Sequence, residues 1–429
     1  MASENGAEQA QNRPLVAALA RIERFLVTPI RDAYNKQVYP LGYAPGLDGL
    51  RGVMTIAVLL AHIRLPLAPG AVLFMDSFFV MSGYFITGLL LRDWERVGRI
   101  RFGHFYVRRF ARILPPLIAM LSGYLAFGYF FLPDFRAVAL DAGIVFAYLT
   151  NWARAGFIRV DALVDALGPV SYLGHTWSLA IEEQFYILWP AILIILLRRL
   201  DVSWRLFWMI VWSALAIWAW RIWLTLQGTH WFRLYNGLDT RADALLVGCA
   251  LAVWLRLIRI DRRPEIERRL AAFAWPILVV FCVSWVFFPR PDNLFYYYAG
   301  SMVLGCGMGV LFVLILVRPT RTVLHIVFEL PALVFLGRIF YALYLWHFPI
   351  FSIMQWHYHL RAGWRALIGL PVTFVLAVLS YVFIERHFMR TAKKPVTSPA
   401  SPEARVAAFS RDSQLGEGRS EEPRQTTPA

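Results

Sequence analysis

The chain has 429 residues, of which 59% are hydrophobic and 17% are charged, and its mean hydropathy is +0.53. Soluble domains are closer to half apolar, and the excess here occurs in long apolar blocks separated by short arginine-rich stretches. The formal net charge of +15 lies mostly between these blocks, so membrane topology, rather than nucleic-acid binding, accounts for it.

The N-terminal segment, residues 1–45, is predicted to be cytoplasmic. Its first residues are polar, and residues 14–30 place leucines and isoleucines at helical spacing with arginines on another side. This pattern is typical of a short helix at the membrane interface, and a plain linker is the alternative that it leaves open. No early apolar run ends in a small-residue cleavage site, so no cleavable signal peptide is expected.

Ten apolar blocks follow, each close to the length that crosses a bilayer as a helix. They are residues 48–65, 71–91, 112–132, 180–197, 204–224, 241–258, 271–288, 297–317, 337–355 and 364–384. The sequence therefore predicts an all-α, polytopic integral membrane protein with about ten transmembrane helices. A further apolar piece at 137–150 has about fourteen residues, fewer than the roughly twenty that a crossing requires.

Arginine-rich segments decide how these spans are oriented. Residues 92–112 and 256–269 are both expected in the cytoplasm. If 137–150 crossed the membrane, every later loop would change sides and 256–269 would lie outside. We therefore expect 137–150 to dip or lie flat, 137–176 to be non-cytoplasmic, and both termini to be cytoplasmic. The tail, residues 389–429, is rich in Pro, Ser, Thr, Glu and Arg and is predicted to be disordered.

Ionisable residues inside the spans are the first functional signal, because each costs about 2.5–3.5 kcal/mol at the centre of a membrane helix. Arg51 and His62 are separated by about three helical turns, so they share a face roughly 16 Å apart. Asp48 precedes Arg51 by one turn and is placed to pair with it. A histidine at a helix end is more often structural, but its ordinary titration range also suits a general base.

Glu182 and Glu183 lie at the start of a later span, on the side of the membrane where His62 is predicted. A carboxylate and an imidazole are therefore expected to converge there. Two successive residues do not share a helix face, so we expect one of them to point inward. The alternative is a charge that favours the N-terminal end of the helix dipole.

Arg109 and Arg112 share a helix face at the predicted cytoplasmic boundary. Arginines so placed can hold phosphates by paired hydrogen bonds, and ordinary cytoplasmic anchoring is the alternative. His347 within a span, and Arg241 and Asp243 at the start of another, are weaker signals, and Glu385 is expected to be an interfacial charge. The cysteines have no metal-ligand spacing, so no metal site is expected.

The ordered motifs resemble the acyltransferase-3 family of membrane acyltransferases from about residue 46 to 387. They are LDGLRG followed by His62, DSFFVMSGYFITGLLL, RRFARILP, HTWSLAIEEQFY, RADALLVG and YLWHFPI. The family's Arg/Lys-x10-His pattern matches Arg51 and His62, its Arg-x-x-Arg pattern matches Arg109 and Arg112, and its Trp-Ser-Leu-x-x-Glu pattern matches residues 177–182. Of the family's Gly-Val-Asp only Asp76 is kept. The resemblance implies ten spans and an acyltransferase domain over residues 46–388.

The resemblance also implies an activity. An acyl group, commonly acetyl from acetyl-CoA, would pass to a hydroxyl of a carbohydrate or glycolipid at the extracytoplasmic side of the cell inner membrane. Acyl-CoA would be a donor substrate, with no permanently bound cofactor, and membrane lipid would be a further partner. Some members carry a fused extracytoplasmic domain, and none is expected here because only a short tail follows the last span.

The residues to which the resemblance and the pattern assign roles form three groups. The catalytic candidates are His62 and Glu182, and the candidates for coenzyme A binding are Arg51, Arg109 and Arg112. The further site candidates are Asp48, Asp76, Trp177, Ser178, Arg241 and His347. A transporter and a structural subunit of a polysaccharide export system are the alternatives from other classes. The sequence leaves the acceptor, the acyl group and the oligomeric state open.

Overall fold

The computed structural model describes residues 44–64, 70, 74–158, 171–258, 263–287, 292–316 and 323–391. Within these ranges all the regular structure is helical, which confirms the predicted fold class. The predicted interfacial helix at 14–30 and almost all of the predicted tail lie outside the described residues.

The described helices are numbered in chain order. They are α1 Pro45–Ile63, α2 Met75–Val97, α3 Phe102–Phe131, α4 Phe135–Phe146, α5 Thr150–Arg154, α6 Gly174–Leu200, α7 Trp204–Leu226, α8 Trp231–Asn236, α9 Leu238–Leu257, α10 Arg263–Phe287, α11 Tyr296–Leu316, α12 Val323–Phe328, α13 Pro331–Arg338, α14 Phe340–His357 and α15 Ala362–Thr391. Each of the ten predicted spans overlaps one of the longer helices over most of its length.

Six of the described helices, α1, α3, α6, α7, α11 and α15, are long and apolar enough to cross a membrane. The pair α13 and α14, bent by 71° at their junction, would make a seventh. Helices α2, α9 and α10 are also long but less apolar. For α2 and α9 the reason includes buried polar side chains, among them Asp76 and Arg241.

Glycines allow two pairs of helices to approach closely. A Cβ atom on Gly83 of α2 would lie 1.9 Å from the carbonyl oxygen of Leu245 in α9, and one on Gly248 would lie 1.9 Å from the carbonyl oxygen of Val80. In the same way, a Cβ on Gly337 of α13 would lie 1.7 Å from the carbonyl oxygen of Asp48 in α1. Small residues at such contacts are the usual means of packing helices in a membrane.

The segment at 137–150 covers most of α4, a helix of 12 residues, and the turn that follows it. Its length is about 18 Å, well short of the roughly 30 Å hydrocarbon core, so α4 alone does not cross the membrane. The carboxylate of Asp134 accepts hydrogen bonds from the first backbone N–H groups and caps its N-terminus. Gln184 of α6 donates to the carbonyl oxygen of Tyr148 at 2.8 Å, so the turn after α4 is held against α6.

The two largest apolar clusters among the described residues join most of the long helices. The larger joins α1, α2, α6, α7, α9 and α11, and the second joins α3, α4, α6 and α14. Helix α6 contributes to both, which places its first turn between them. The exposed side chains of α7 include several tryptophans, as expected for a helix that faces lipid.

Candidate active site

Three histidines from three different helices meet at one place in the bundle. His62 lies in the last turn of α1, His175 in the first turn of α6, and His347 in the middle of α14. Nε2 of His347 is 3.2 Å from Nδ1 of His62, and the ring centroids of His175 and His347 are 5.3 Å apart. The sequence singled out His62 and His347 separately, and the structure brings them into contact.

The hydrogen bonds of the cluster fix where its protons lie. Nδ1 of His347 is 3.0 Å from the carbonyl oxygen of Leu343, so this nitrogen donates. In a neutral imidazole the other nitrogen then accepts. Nδ1 of His62, which is also 3.0 Å from the carbonyl oxygen of Val58, therefore carries a proton. The network leaves Nε2 of His62 with a free lone pair, as a general base requires.

Aromatic rings pack around the histidines. Phe348 stacks on His175 with centroids 4.8 Å apart, and it meets the ring of His62 edge-on at 5.0 Å. The hydroxyl of Tyr344 donates to the carbonyl oxygen of His175 at 2.8 Å and lies 3.0 Å from the hydroxyl of Ser178. The predicted site residue Ser178 thus supports the turn that carries His175.

Glu182 does not reach His62. Among the described residues its carboxylate accepts a hydrogen bond from Tyr186 at 3.4 Å, and the Tyr186 hydroxyl is in turn bonded to Ser82. The expected convergence of Glu182 with His62 is therefore not seen, because α6 turns this side chain toward α2. Of the two glutamates, Glu183 is buried and Glu182 is half-buried, so the more deeply buried one is not the one that was assigned as catalytic.

Glu183 is the partner of Arg109. The Arg109 guanidinium donates to its carboxylate at 2.5 Å and lies 3.2 Å from the centroid of the Tyr186 ring. An arginine held in this way can bind a phosphate only if it exchanges or shares its carboxylate partner. Arg112, one turn further along α3, is exposed, and its charge acts on the buried Glu385 of α15.

A second group of charges surrounds the start of α1. Arg51 donates to Asp48 at 2.8 Å, as the spacing predicted, and its guanidinium lies 4.7 Å from the ring centroid of Phe340. Arg338 of α13 is 3.8 Å from the same aspartate. The charge of Arg51 also acts on Glu385. Arg51, Arg112 and Arg338 therefore form a basic end of the bundle, about three turns of α1 away from His62.

Asp76 and Arg241 form an ion pair at 2.7 Å, and both side chains are fully buried. The hydroxyl of Tyr296 donates to Asp76 at 2.5 Å and accepts from Arg241 at 2.7 Å. The rings of Trp177 and Tyr235 flank the guanidinium with centroids at 5.9 and 5.0 Å. This pair links α2 to α9 and places the Trp177 ring, which begins the Trp-Ser-Leu motif, beside it.

A second buried pair was missed in the sequence. Arg221 of α7 binds Asp243 of α9 at 2.8 Å and also donates to the carbonyl oxygen of Thr240 at 2.6 Å. The sequence carried a signal for it, since Arg221 stands alone in an apolar run. The same criterion that singled out His62 would have found it.

Arg154 is a further functional candidate that sequence reasoning missed. It ends α5, donates to the side chain of Asn236 at 3.0 Å, and lies 5.3 Å from the ring centroid of Phe232. It makes no ion pair with any described residue. Thr150, one turn earlier in α5, bonds to Thr176 next to His175, so a cation lies near the histidine cluster. No group of side chains suited to holding a metal ion is found in the described part of the chain.

The fold and these buried groups define a polytopic helical membrane protein with an internal polar site. The acyltransferase-3 family, described as an acyltransferase domain, matches residues 45–384. The chain therefore belongs to the acyltransferase-3 family. No solved structure matches it.

Several bacterial relatives are similar along most of the chain. A peptidoglycan O-acetyltransferase of Listeria monocytogenes is 33% identical over 354 residues, which cover 81% of this chain and 56% of the relative. A Staphylococcus aureus protein assigned by inference as an O-acetyltransferase is 31% identical over 364 residues, with 82% and 58% covered. A Bacillus subtilis protein assigned by inference to peptidoglycan O-acetylation is 33% identical over 353 residues, with 80% and 54% covered. The match thus spans about half the length of these relatives.

Proposed function

We propose that this protein transfers an acyl group, most simply acetyl, from acyl-CoA to a hydroxyl of a carbohydrate or glycolipid. The observation that carries the proposal is the free Nε2 of His62, whose Nδ1 proton is held by Val58 and His347. Membership in a family defined by an acyltransferase domain supports it. The relatives' names point to acetyl as the acyl group and to a cell-wall glycan as the class of acceptor.

In the proposed reaction Nε2 of His62 removes the proton of the acceptor hydroxyl. The hydroxyl oxygen bonds to the thioester carbonyl carbon, and the carbon–sulfur bond then breaks. The departing thiolate takes the proton back from His62, so coenzyme A leaves as the thiol and the histidine is restored. His347 supports the transient imidazolium by accepting from its Nδ1–H, the part that a carboxylate plays in many hydrolases.

The basic end of the bundle is the proposed site for the phosphates of coenzyme A. Arg51 and Arg112 lie there, and guanidinium groups bind phosphates through paired hydrogen bonds. Arg109 joins them by sharing or exchanging its bond to Glu183. Following the positive-inside rule, we propose that this end faces the cytoplasm at the cell inner membrane, with both termini on that side. The acyl arm then extends along α1 toward His62.

Glu182, in this proposal, has a different part from the one that its spacing suggested. Its contact with Tyr186 places it beside the Arg109–Glu183 pair rather than beside the base. In this proposal the Glu182 carboxylate affects how strongly Arg109 binds the phosphates of the acyl-CoA donor. The acceptor hydroxyl approaches from the side of α4 and α5, the extracytoplasmic element of the predicted topology.

The test is product formation by the purified protein in detergent, without a sealed membrane. Acetyl-CoA and soluble peptidoglycan glycan fragments are the substrates, and mass spectrometry detects the acetyl ester. Product in wild type, its loss in His62→Ala, and its retention in His387→Ala support the proposal. His387 is an exposed histidine far along α15 and serves as the matched control. Activity that requires two compartments would instead favour a transporter, and wild-type activity in His62→Ala would overturn the assignment of the base.

A further inference from the structure

His175 differs from the other two histidines in its hydrogen bonding. It is only 4% exposed, yet neither ring nitrogen has a partner among the described residues. Most buried polar side-chain atoms are paired, and an unpaired one costs roughly 1–3 kcal/mol. His62 and His347, in contrast, each have a bonded Nδ1. His175 is therefore the member of the cluster whose bonding capacity is left for a ligand.

The ring of His175 is held in place without using its nitrogens. Its backbone carbonyl accepts from Tyr344, and the next residue, Thr176, bonds to Thr150 of α5 at 3.0 Å. One face of the ring stacks on Phe348, and the ring meets that of His347 edge-on. The nitrogens are thus fixed in orientation by packing alone, and a preorganised group costs little to align when a substrate reacts.

The surroundings of His175 determine which part it can play. His62 already supplies a base with a free lone pair, so a second base is not needed. A neutral imidazole also offers one N–H donor. Arg154 ends α5, the short helix whose Thr150 bonds to Thr176 next to His175, so its positive charge lies near the cluster and favours negative charge there. The step that still lacks a partner is the build-up of negative charge on the carbonyl oxygen of the acyl group, and N–H donors stabilise such an oxygen.

We propose that His175 binds the carbonyl oxygen of the acyl group through a ring N–H, with Arg154 adding positive charge. As the acceptor oxygen bonds to the carbonyl carbon, the π electrons move to the carbonyl oxygen and this hydrogen bond strengthens. When the carbon–sulfur bond breaks, the carbonyl re-forms. His175 gives up no proton and is unchanged at the end. The inference rests on the proposed acyl transfer and adds a group that contacts the reacting atoms.

The experiment compares His175→Phe with His175→Gln in the purified full-length protein. Phenylalanine keeps a ring that can stack on Phe348 but offers no donor, whereas glutamine offers an amide N–H. With acetyl-CoA and glycan fragments, we expect His175→Phe to lower kcat about 100-fold and to leave the KM for acetyl-CoA within about twofold. We expect His175→Gln to recover at least tenfold of that loss, and both variants to melt close to wild type.

A folded His175→Phe variant with wild-type kcat would overturn the inference, as would a folded His175→Gln that is as slow as His175→Phe. If the phenylalanine variant does not fold, the glutamine variant decides alone. A kcat within about tenfold of wild type supports the donor role, and a loss as deep as that of His62→Ala overturns it. If His62→Ala is inactive while His175→Phe is unimpaired, only this inference fails. If both are fully active, the assignment of His62 as the base fails as well, and a wild-type protein that forms no product would overturn the proposed function itself.

Arg154 supplies an independent arm of the same test. Arg154→Lys keeps the positive charge and Arg154→Gln removes it, while both lose the present bond geometry to Asn236. The lysine variant is expected to keep a kcat several-fold above that of the glutamine variant. Equal kcat in the two would overturn the electrostatic part of the proposal.

Discussion

The buried Asp76–Arg241 pair and the histidine cluster are both polar groups inside an apolar bundle, but they use their bonding capacity differently. Asp76 and Arg241 bind each other and Tyr296, so their charges are neutralised within the fold. The cluster instead leaves Nε2 of His62 and both nitrogens of His175 without a partner among the described residues. The ion pair can hold helices together, whereas the cluster keeps groups available for a substrate.

An ionisable residue in a membrane helix can therefore have a structural role or a chemical one. A charge whose partner lies on the next helix is compensated, and removing one partner exposes the other to an apolar interior. An uncharged imidazole with a free nitrogen costs less free energy to bury than an unpaired charge, and its free nitrogen can still bind a substrate. Substitutions at the two places should therefore fail in different ways, one in activity and the other in stability.

The largest expected effect on activity is that of His62→Ala. Removal of a general base typically costs 10²–10⁴-fold in rate, and we expect a kcat loss in about that range. The melting temperature in detergent should stay close to that of wild type, because the lost hydrogen bonds are neutral. Steady-state transfer from acetyl-CoA and a thermal melt check the two halves. A large drop in melting temperature would indicate that His62 mainly stabilises the fold, as the Asp76–Arg241 pair does, rather than acting as the base.

Arg241→Ala should show the opposite pattern. It leaves the Asp76 carboxylate buried without its cation, and breaking such pairs typically costs about 3–5 kcal/mol of stability. The expected result is a low yield of folded protein and a lower melting temperature. The double variant Asp76→Leu with Arg241→Met removes both charges and should recover much of that stability. If the double variant is as unstable as the single one, pairing is not the main role of these residues.

The sequence predicted the helices well because each apolar block is long and bounded by charge. It also predicted that Asp48 and Arg51 would pair, since one helical turn separates them. It did not predict which glutamate faces which neighbour. Helix α6 is buried on several sides, so its pattern does not fix its rotation about its own axis.

Contacts between helices that are distant in the chain could not be predicted from the sequence. His62 and His347 were both singled out, but nothing in their own segments indicates that they touch. His175 lies in the HTWSLAIEEQFY motif but was given no role. It precedes the regular part of α6, so helical spacing does not predict where its side chain points. Arg221 could have been found from its charge, and Asp243 was singled out, but the sequence does not indicate that the two form a pair.

His347 tests whether the cluster acts as a unit. His347→Phe removes the acceptor for the Nδ1 proton of His62, and we expect a kcat loss of about tenfold, or about 1.4 kcal/mol. His347→Gln keeps an acceptor oxygen and should recover part of the rate. The measurement is kcat beside the melting temperature. A purely structural role would instead lower the melting temperature of both variants and show no advantage for glutamine.

The smallest effect is expected at the basic end, with Arg112→Ala. Arg112 is exposed, so its bond to a coenzyme A phosphate is screened by water and worth about 1 kcal/mol, or roughly fivefold in KM for acetyl-CoA. The kcat should barely change, because the contact is the same in the ground state and the transition state. Arg99→Ala, at an exposed arginine just after α2, is the matched control and should leave KM unchanged. A fall in kcat with constant KM would indicate that Arg112 acts on the reacting groups. It would contradict the proposal that one end of the bundle binds coenzyme A while the chemistry takes place at the other.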